Sequence, residues 1–555
     1  RGEFWNGSQF WVMKEAASAA HIYGLQVVDS ESFTGWRSWQ DGPLEYKRLA
    51  DTAFCDGLNR ITFHTFAHTP PSGGVPGNMY HAGEHFNVNV TWWNQSGPML
   101  AYFSRCCYLL QQGLPVGDAC YYYGDVAPNL VATRRIGPDS KRLDGAICAH
   151  CDRPNPAPAD ALGTGYDYDV IDSEVIQDRL QVKDGRLVLP HGVSYEALVL
   201  PPNEEMPLPV LAKLEKLVLE GATVLGPRPT RTPSLADSSS SDEKVREITG
   251  RLWGAVTDAP PQDNVVGKGR IIPDRNRIRE VLQNKGFGPD FSYTSPGTPA
   301  DLDYIHRRTL NSDIYFVSNT QMTDADAECT FRVHGRKPQF WHPDTGEITP
   351  CTGYTRVAGG MKLRVRLPPA GSVFVVFSGA VSENLPEPLV KPVKPLLPHE
   401  ITGPWEVRFP PNRGAPESCT LEKLVSWTEM PDDGIKYFSG TATYLKSFEI
   451  SEAWSKGDLR VELSLGELRN VAEVTVNGKP LGILWKPPYK VDVTGLLKPG
   501  KNELKIDITN LWANRIAGDE KLPREKRVTR ITQKLPVPGP HPSGLFGPVQ
   551  LLLTQ

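Results

Sequence analysis

Two hydrophobic periods alternate along the first 125 residues. The run "KEAASAAHIYG" (14–24) is Ala-rich and closes on Gly24, which predicts a helix with a glycine terminus. "LQVVDSE" follows as a short buried strand. "PLEYKRLADTAFCDG" (43–57) is an amphipathic helix, again closed by glycine. "LNRITFHTFAH" (58–68) is the next strand, with its polar residues gathered towards the C-terminal end. "SGPMLAYFSRCCYLLQQG" (96–113) predicts a third helix and "DACYYYG" (118–124) a further strand. This is the alternation of a parallel α/β layer. With one strand at "RGEFW", the count reaches about four, half of what a closed eight-stranded α/β barrel of ~250 residues requires. Chemistry-bearing residues crowd the strand ends, where such barrels place their active sites. The expectation for residues 1–150 is therefore the C-terminal half of a (β/α)8-type barrel.

Beyond it the periodicity changes twice. "HCDRPNPAPAD" (150–160) reads as a linker, and 160–300 as a doubly wound α/β domain. Its "LPPNEE" turn lacks the glycines of a phosphate loop, so no nucleotide site is expected there. "TPSLADSSSSDEK" (232–244) reads as a polar loop. Residues 301–384 alternate apolar and polar positions with period two, as does 400–555, and a stiff Pro-rich spacer, "LPEPLVKPVKPLLP" (385–398), separates them. The first is expected to be a small β-sandwich and the second a jelly-roll sandwich, with Asn477-Gly478 making a tight hairpin. The fold class is thus multidomain α/β plus all-β.

Composition narrows the function classes. The 555 residues are 39% hydrophobic and 22% charged with a net charge of −4, which suits folded domains and gives no nucleic-acid surface. No apolar run approaches the ~18 residues of a membrane span. Nine cysteines at this length are not a disulfide framework. The "CAHC" at 148–151 lacks the second ligand pair that a structural zinc site needs, and Cys106–Cys107 falls in an apolar helical run, a core position. No signal peptide is visible in the sequence.

The residues that carry chemistry lie in the first 95. Glu3 sits in "RGEFW" and Glu31 in "VVDSESFTG". Asn59, His64 and His68 follow on the next strand, then His81, Glu84, His85, Asn87, Asn89, Trp92 and Trp93 in "YHAGEHFNVNVTWWNQ", with Trp5, Trp11, Trp36 and Trp39 nearby. Amides and imidazoles bond sugar hydroxyls, and indole faces stack on C–H surfaces. Two carboxylates at neighbouring strand ends suit glycosidic bond cleavage. These residue types leave open which sugar is cleaved, a galactosidase for example, and leave open a carbohydrate-binding protein without catalysis.

"RGEFW", "EAASAAHIYG", "ESFTG", "GLNRITFHTFAHTP" and "GEHFNVNVTWW" together resemble the catalytic barrel of glycoside hydrolase family 106, the α-L-rhamnosidases. The tail "VTVNGKPLG", "PYKVDVTGLLKPGKNELKIDITNLW" and "SGLFGPV" resembles the galactose-binding-like sandwich of family 2 hydrolases. The middle α/β domain is expected to be flavodoxin- or amidotransferase-like. The first resemblance implies inverting, calcium-assisted release of terminal α-L-rhamnose from an oligo- or polysaccharide. It implies Glu31 as general base, and Glu3 as a second active-site carboxylate or calcium ligand. Asn59, His64, His68, Glu84, His85, Asn87, Trp92 and Trp93 are expected to line the pocket. The family's general acid is expected upstream of Arg1, so the chain is expected to be the C-terminal portion of a longer, periplasmic or extracellular enzyme. Alone it would be nearly inactive, since loss of a general acid costs ~10²–10⁴-fold.

Overall fold

The computed structural model describes all residues except 7–11, 84–85, 126–160, 235–237, 259, 381–397, 455–459, 533–536, 538 and 555. Cys148 and Cys151, the whole 150–160 linker and most of the Pro-rich spacer lie outside the described residues.

Three parallel strands open the chain, β1 (Gly2–Asn6), β2 (Asp29–Gly35) and β3 (Arg60–Phe63), in the order β1-β2-β3. Helices α1 (Met13–Tyr23), α2 (Pro43–Cys55) and α3 (Gly97–Leu110) come after each strand in turn. Gly24 ends α1 at φ 77°, and a Cβ there would press on the His191 ring at 2.8 Å, so the position needs glycine for conformation and for space. Phe4, Phe33, Phe54 and Phe103 form the core between sheet and helices, and Cys106 is buried with them.

β3 is shorter than its pattern predicts. It stops at Phe63, and residues 64–70 leave the sheet on the way to Pro70-Pro71. The strand predicted at 118–124 also belongs elsewhere. Ala119–Tyr122 lies inside the second domain's sheet, paired on one side with Tyr168–Ile171 and on the other with Ala197–Val199. All four of its residues are buried, as a strand covered on both faces requires.

That sheet runs 168–171, 119–122, 197–199, 223–225, 269–272, with 264–266 antiparallel at the edge. Its parallel part has the 2-1-3-4-5 order of doubly wound flavodoxin-type sheets. The segment predicted as a loop to 244 turns helical at Ser238, and the helix is held by Val245, Ile248 and Leu252, which share a face at helical spacing and pack into the domain core. Helix α1 docks on this domain. Lys14 Nζ reaches Asp167 at 2.7 Å, and Asp169 takes His21 Nδ1 and the Tyr195 hydroxyl, each at 2.8 Å. Burial alone would raise the Asp169 carboxyl, but His21 and Lys14 outweigh it and hold it at about 2.

The third domain begins at Phe291 rather than 301, since Phe291–Thr294 pairs with Ala325–Phe331. It is a sandwich of a four-stranded and a six-stranded sheet, and Leu114–Pro115 joins the edge of the larger one. The C-terminal sandwich packs a four-stranded on a six-stranded antiparallel sheet over its own core. Asn477 and Gly478 both take positive φ, 50° and 80°, in the predicted hairpin. No helix among the described residues is long and apolar enough to cross a membrane.

Candidate active site

In-register parallel neighbours point to the same face of a sheet, and Glu3 pairs with Glu31. Directly after this pair the register slips by one residue, where Phe33 adopts φ 68°. A bulge of this kind bends a strand and redirects the residues after it. Among those redirected is Trp36, 54% exposed, with its ring 5.4 Å from Trp5.

From there the contacts close into a circuit. Trp36 meets His81 at 6.0 Å, His81 meets Tyr80 at 4.5 Å, and Tyr80 sits edge-on to His64 at 5.1 Å. His64 Nε2 lies 3.5 Å from Glu31 Oε1. Glu3 Oε1 accepts the Trp5 indole N–H at 2.6 Å and completes the ring. Arg1 supplies a positive charge on the other side, 3.5 Å from Glu31 and 3.6 Å from Asp29. Asp29 also accepts from the Thr62 hydroxyl at 2.8 Å. Acidic groups on the strands are thus bordered by exposed aromatic and imidazole rings, an arrangement that can hold a sugar by its C–H faces and its hydroxyls.

Of the residues expected in the site, Glu3, Glu31 and His64 come together. Asn59 does not. It precedes β3 and is 1% exposed, and its amide accepts from Val28 N at 2.7 Å and donates to Gln26 O at 2.9 Å. It secures the turn between helix and strand. Asn87 is 2% exposed and caps its own loop, accepting from Asn89 N at 2.9 Å. Trp92 is 2% exposed in the core against Tyr46 and Phe86, and Trp93 packs on Phe86 at 5.2 Å. His68 is exposed past the end of the strand, and its backbone oxygen accepts from the Asn78 amide at 2.6 Å. Glu84 and His85 lie outside the described residues.

Of the aromatic members, His81 was singled out in the sequence and Trp5 and Trp36 noted as nearby, none of them assigned to the pocket, and Tyr80 was not noted. Trp5 carries a legible signal, because positions 3 and 5 of one strand share a face. Tyr80 carries none, since a loop brings it in.

Calcium takes six to eight oxygen ligands. Among the described residues no group of three or more His, Cys, Asp or Glu side chains could hold a metal ion, and one Glu3 oxygen is taken by the Trp5 indole. The described residues alone do not assemble a carboxylate cluster of the kind calcium takes.

The family model of glycoside hydrolase family 106, described as alpha-L-rhamnosidase, matches residues 6–142 and 151–356. The chain belongs to that family. A second model, the galactose-binding domain-like fold of family 2 glycosyl hydrolases, matches 428–538, within the C-terminal sandwich. Among solved structures, a rhamnosidase from Novosphingobium sp. PP1Y is 30% identical with a TM-score of 0.82, covering 100% of this chain and 51% of its own. A putative beta-glucuronidase of Formosa agariphila is 26% identical over 94% of this chain and 60% of its own length. The chain therefore spans between half and two thirds of these relatives. Both the family model and the solved rhamnosidase are those of glycosidases.

Proposed function

We propose that the protein carries the general-base side of an α-L-rhamnosidase active site, in a barrel of which β1–β3 form part. The single observation that supports this is the closed ring of Glu3, Trp5, Trp36, His81, Tyr80, His64 and Glu31. Glu31 takes a proton from the attacking water, and His64 and Arg1 hold its oxygens in place from two sides. Glu3 acts as a fixed second negative charge, favourable to an oxocarbenium-like transition state. Inversion requires the acid and base carboxyls ~6.5–9.5 Å apart. In-register neighbours on adjacent strands are ~4.8 Å apart at their backbones, closer than that. Glu3 is accordingly given an electrostatic role and not that of the acid. Trp5, Trp36 and Tyr80 offer ring faces to the sugar.

The substrate is a terminal α-L-rhamnosyl residue of an oligo- or polysaccharide. The test is hydrolysis of 4-nitrophenyl α-L-rhamnoside by the full-length enzyme and its Glu31→Gln variant, with product anomer followed by NMR. A loss of kcat of ~10²–10⁴-fold is expected, with release of the inverted anomer. Hydrolysis of a β-glucuronide or β-galactoside in preference to the rhamnoside rejects the reading, as does unchanged kcat in Glu31→Gln.

A further inference from the structure

We propose that the C-terminal sandwich extends this site with a subsite for a negatively charged sugar, carboxylated or sulfated, of the same glycan. The inference rests on the glycosidase reading. It starts from "KLPREKRVTR", residues 521–530, which carries Lys521, Arg524, Lys526, Arg527 and Arg530 against the single acid Glu525. The chain as a whole is net negative at −4, so this is a local concentration of positive charge. A cavity of about 970 Å³ opens here, lined by Arg524, Arg527, Arg530, Glu520, Glu525 and Thr529 among others.

The local chemistry leaves the guanidinium groups available. The buried carboxylate in the lining, Asp519, is engaged within the protein. It accepts from Thr529 N at 2.6 Å and from the Thr529 hydroxyl at 2.7 Å, and pairs with Arg515 at 2.8 Å. Among the described residues no carboxylate lies at ion-pair distance from Arg524, Arg527 or Arg530, all of which are exposed, and Arg527 Nε donates only to Leu522 O at 2.9 Å. Guanidinium forks match the planar carboxylate and the oxygen pairs of a sulfate ester.

The place of this cavity makes the anion part of the glycan. Arg530 and Ile531 form a parallel bridge with Pro76 and Gly77. Thr532 Oγ1 accepts from Met79 N at 3.0 Å. The next two residues are Tyr80 and His81, the rim of the sugar cleft. Gly74 permits the approach, since a Cβ there would stand 2.9 Å from the Arg530 stem. A glycan whose terminal sugar enters the ring at Glu31 can therefore continue across Tyr80 and His81 onto the arginines.

The experiment measures binding, not turnover. The full chain and a combined Arg524→Gln, Arg527→Gln, Arg530→Gln variant are titrated with polygalacturonate, dextran sulfate and neutral dextran at low salt. A charge-matched control combines Lys479→Gln, Lys498→Gln and Lys501→Gln, exposed positions of the same sandwich. The proposal expects at least one anionic polymer to bind more tightly than dextran. The arginine variant should lose about tenfold of that affinity, from three contacts of ordinary exposed strength, and the lysine control less than twofold. Preference for polygalacturonate identifies a uronate, and preference for dextran sulfate a sulfate ester. Equal binding of dextran, or equal losses in both variants, overturns the subsite. Failure of the rhamnosidase reading is read separately, since absent rhamnoside hydrolysis with intact anion binding rejects only the activity.

Discussion

Replacing His306 by glutamine should cost about 3–4 kcal/mol near pH 6. His306 is fully buried in Leu302–Arg308, with its ring stacked on Tyr315 at 3.9 Å. Nδ1 lies 3.0 Å from Asp290 and Nε2 3.0 Å from Asp313. Both ring nitrogens face carboxylates, so both must donate, and only the imidazolium does that. Burial alone would lower the His306 pKa, but the two aspartates outweigh it and raise it above its ordinary value. Burial would also raise Asp290, but His306 and Arg332 hold it below the usual carboxylate range. Two charge-assisted hydrogen bonds at ~1.5–3 kcal/mol each give about 3–6 kcal/mol. Glutamine leaves Asp290 with Arg332 at 3.2 Å, and Asp313 with Arg308 at 2.6 Å and Arg336 at 2.5 Å, so the low end applies. Arg332 is shared with Asp118, which itself is pushed up to about 6. The sign comes from the raised His306 pKa. Its contribution is complete below the unfolded value of ~6.5 and is lost as pH rises through the folded value. Urea unfolding of both proteins at pH 6 and pH 9, followed by tryptophan fluorescence, should show a gap that narrows at the higher pH. A gap under about 1 kcal/mol at pH 6, or one that widens with pH, refutes the charged-histidine assignment.

Three further changes separate structural from substrate-binding residues. Trp36→Ala in the full-length enzyme should raise KM for the aryl rhamnoside several-fold and leave thermal stability within about 0.5 kcal/mol, as for an exposed side chain. Asn59→Ala should do the reverse, with KM unchanged and stability down by about 2 kcal/mol in thermal melts, because the Val28 N–H is left without its acceptor. Asp169→Asn should flatten the acid limb of the stability curve. The depressed Asp169 contributes fully above the unfolded carboxylate value of ~3.9 and loses that contribution as pH falls through about 2, which denaturant titration between those limits will show.

The periodic part of the molecule was legible in the sequence. The first three strands, their helices, the doubly wound domain and both sandwiches come from the 3.6- and 2-residue patterns and from closing glycines such as Gly24. Domain membership was less so. Ala119–Tyr122 has the same buried pattern in either sheet, and only tertiary pairing assigns it to the second. That Glu3 and Glu31 come to one sheet face was also readable, because they lie on neighbouring strands. The polar and aromatic density after them was not separable by type. Asn59 and Asn87 are consumed by backbone groups that a turn leaves unpaired, and Trp92 by the volume between Tyr46 and Phe86. An amide or an indole serves those needs as well as it serves a sugar.

The ring around Glu31 shows why loops escape such reading. Its two carboxylates are set by strand register, an interaction between short regular segments. Trp36 is set by a one-residue slip at Phe33, and Tyr80 and His81 by a segment whose path is fixed from outside, by the bridge of Pro76–Gly77 to Arg530–Ile531. The two sides of that bridge lie at opposite ends of the chain. The C-terminal sandwich is thus a structural part of the rim of the proposed sugar cleft as well as a neighbouring domain. A change that loosens the 530–532 segment acts on Tyr80 and His81 before it reaches either carboxylate, so it bears on sugar binding ahead of the chemical step.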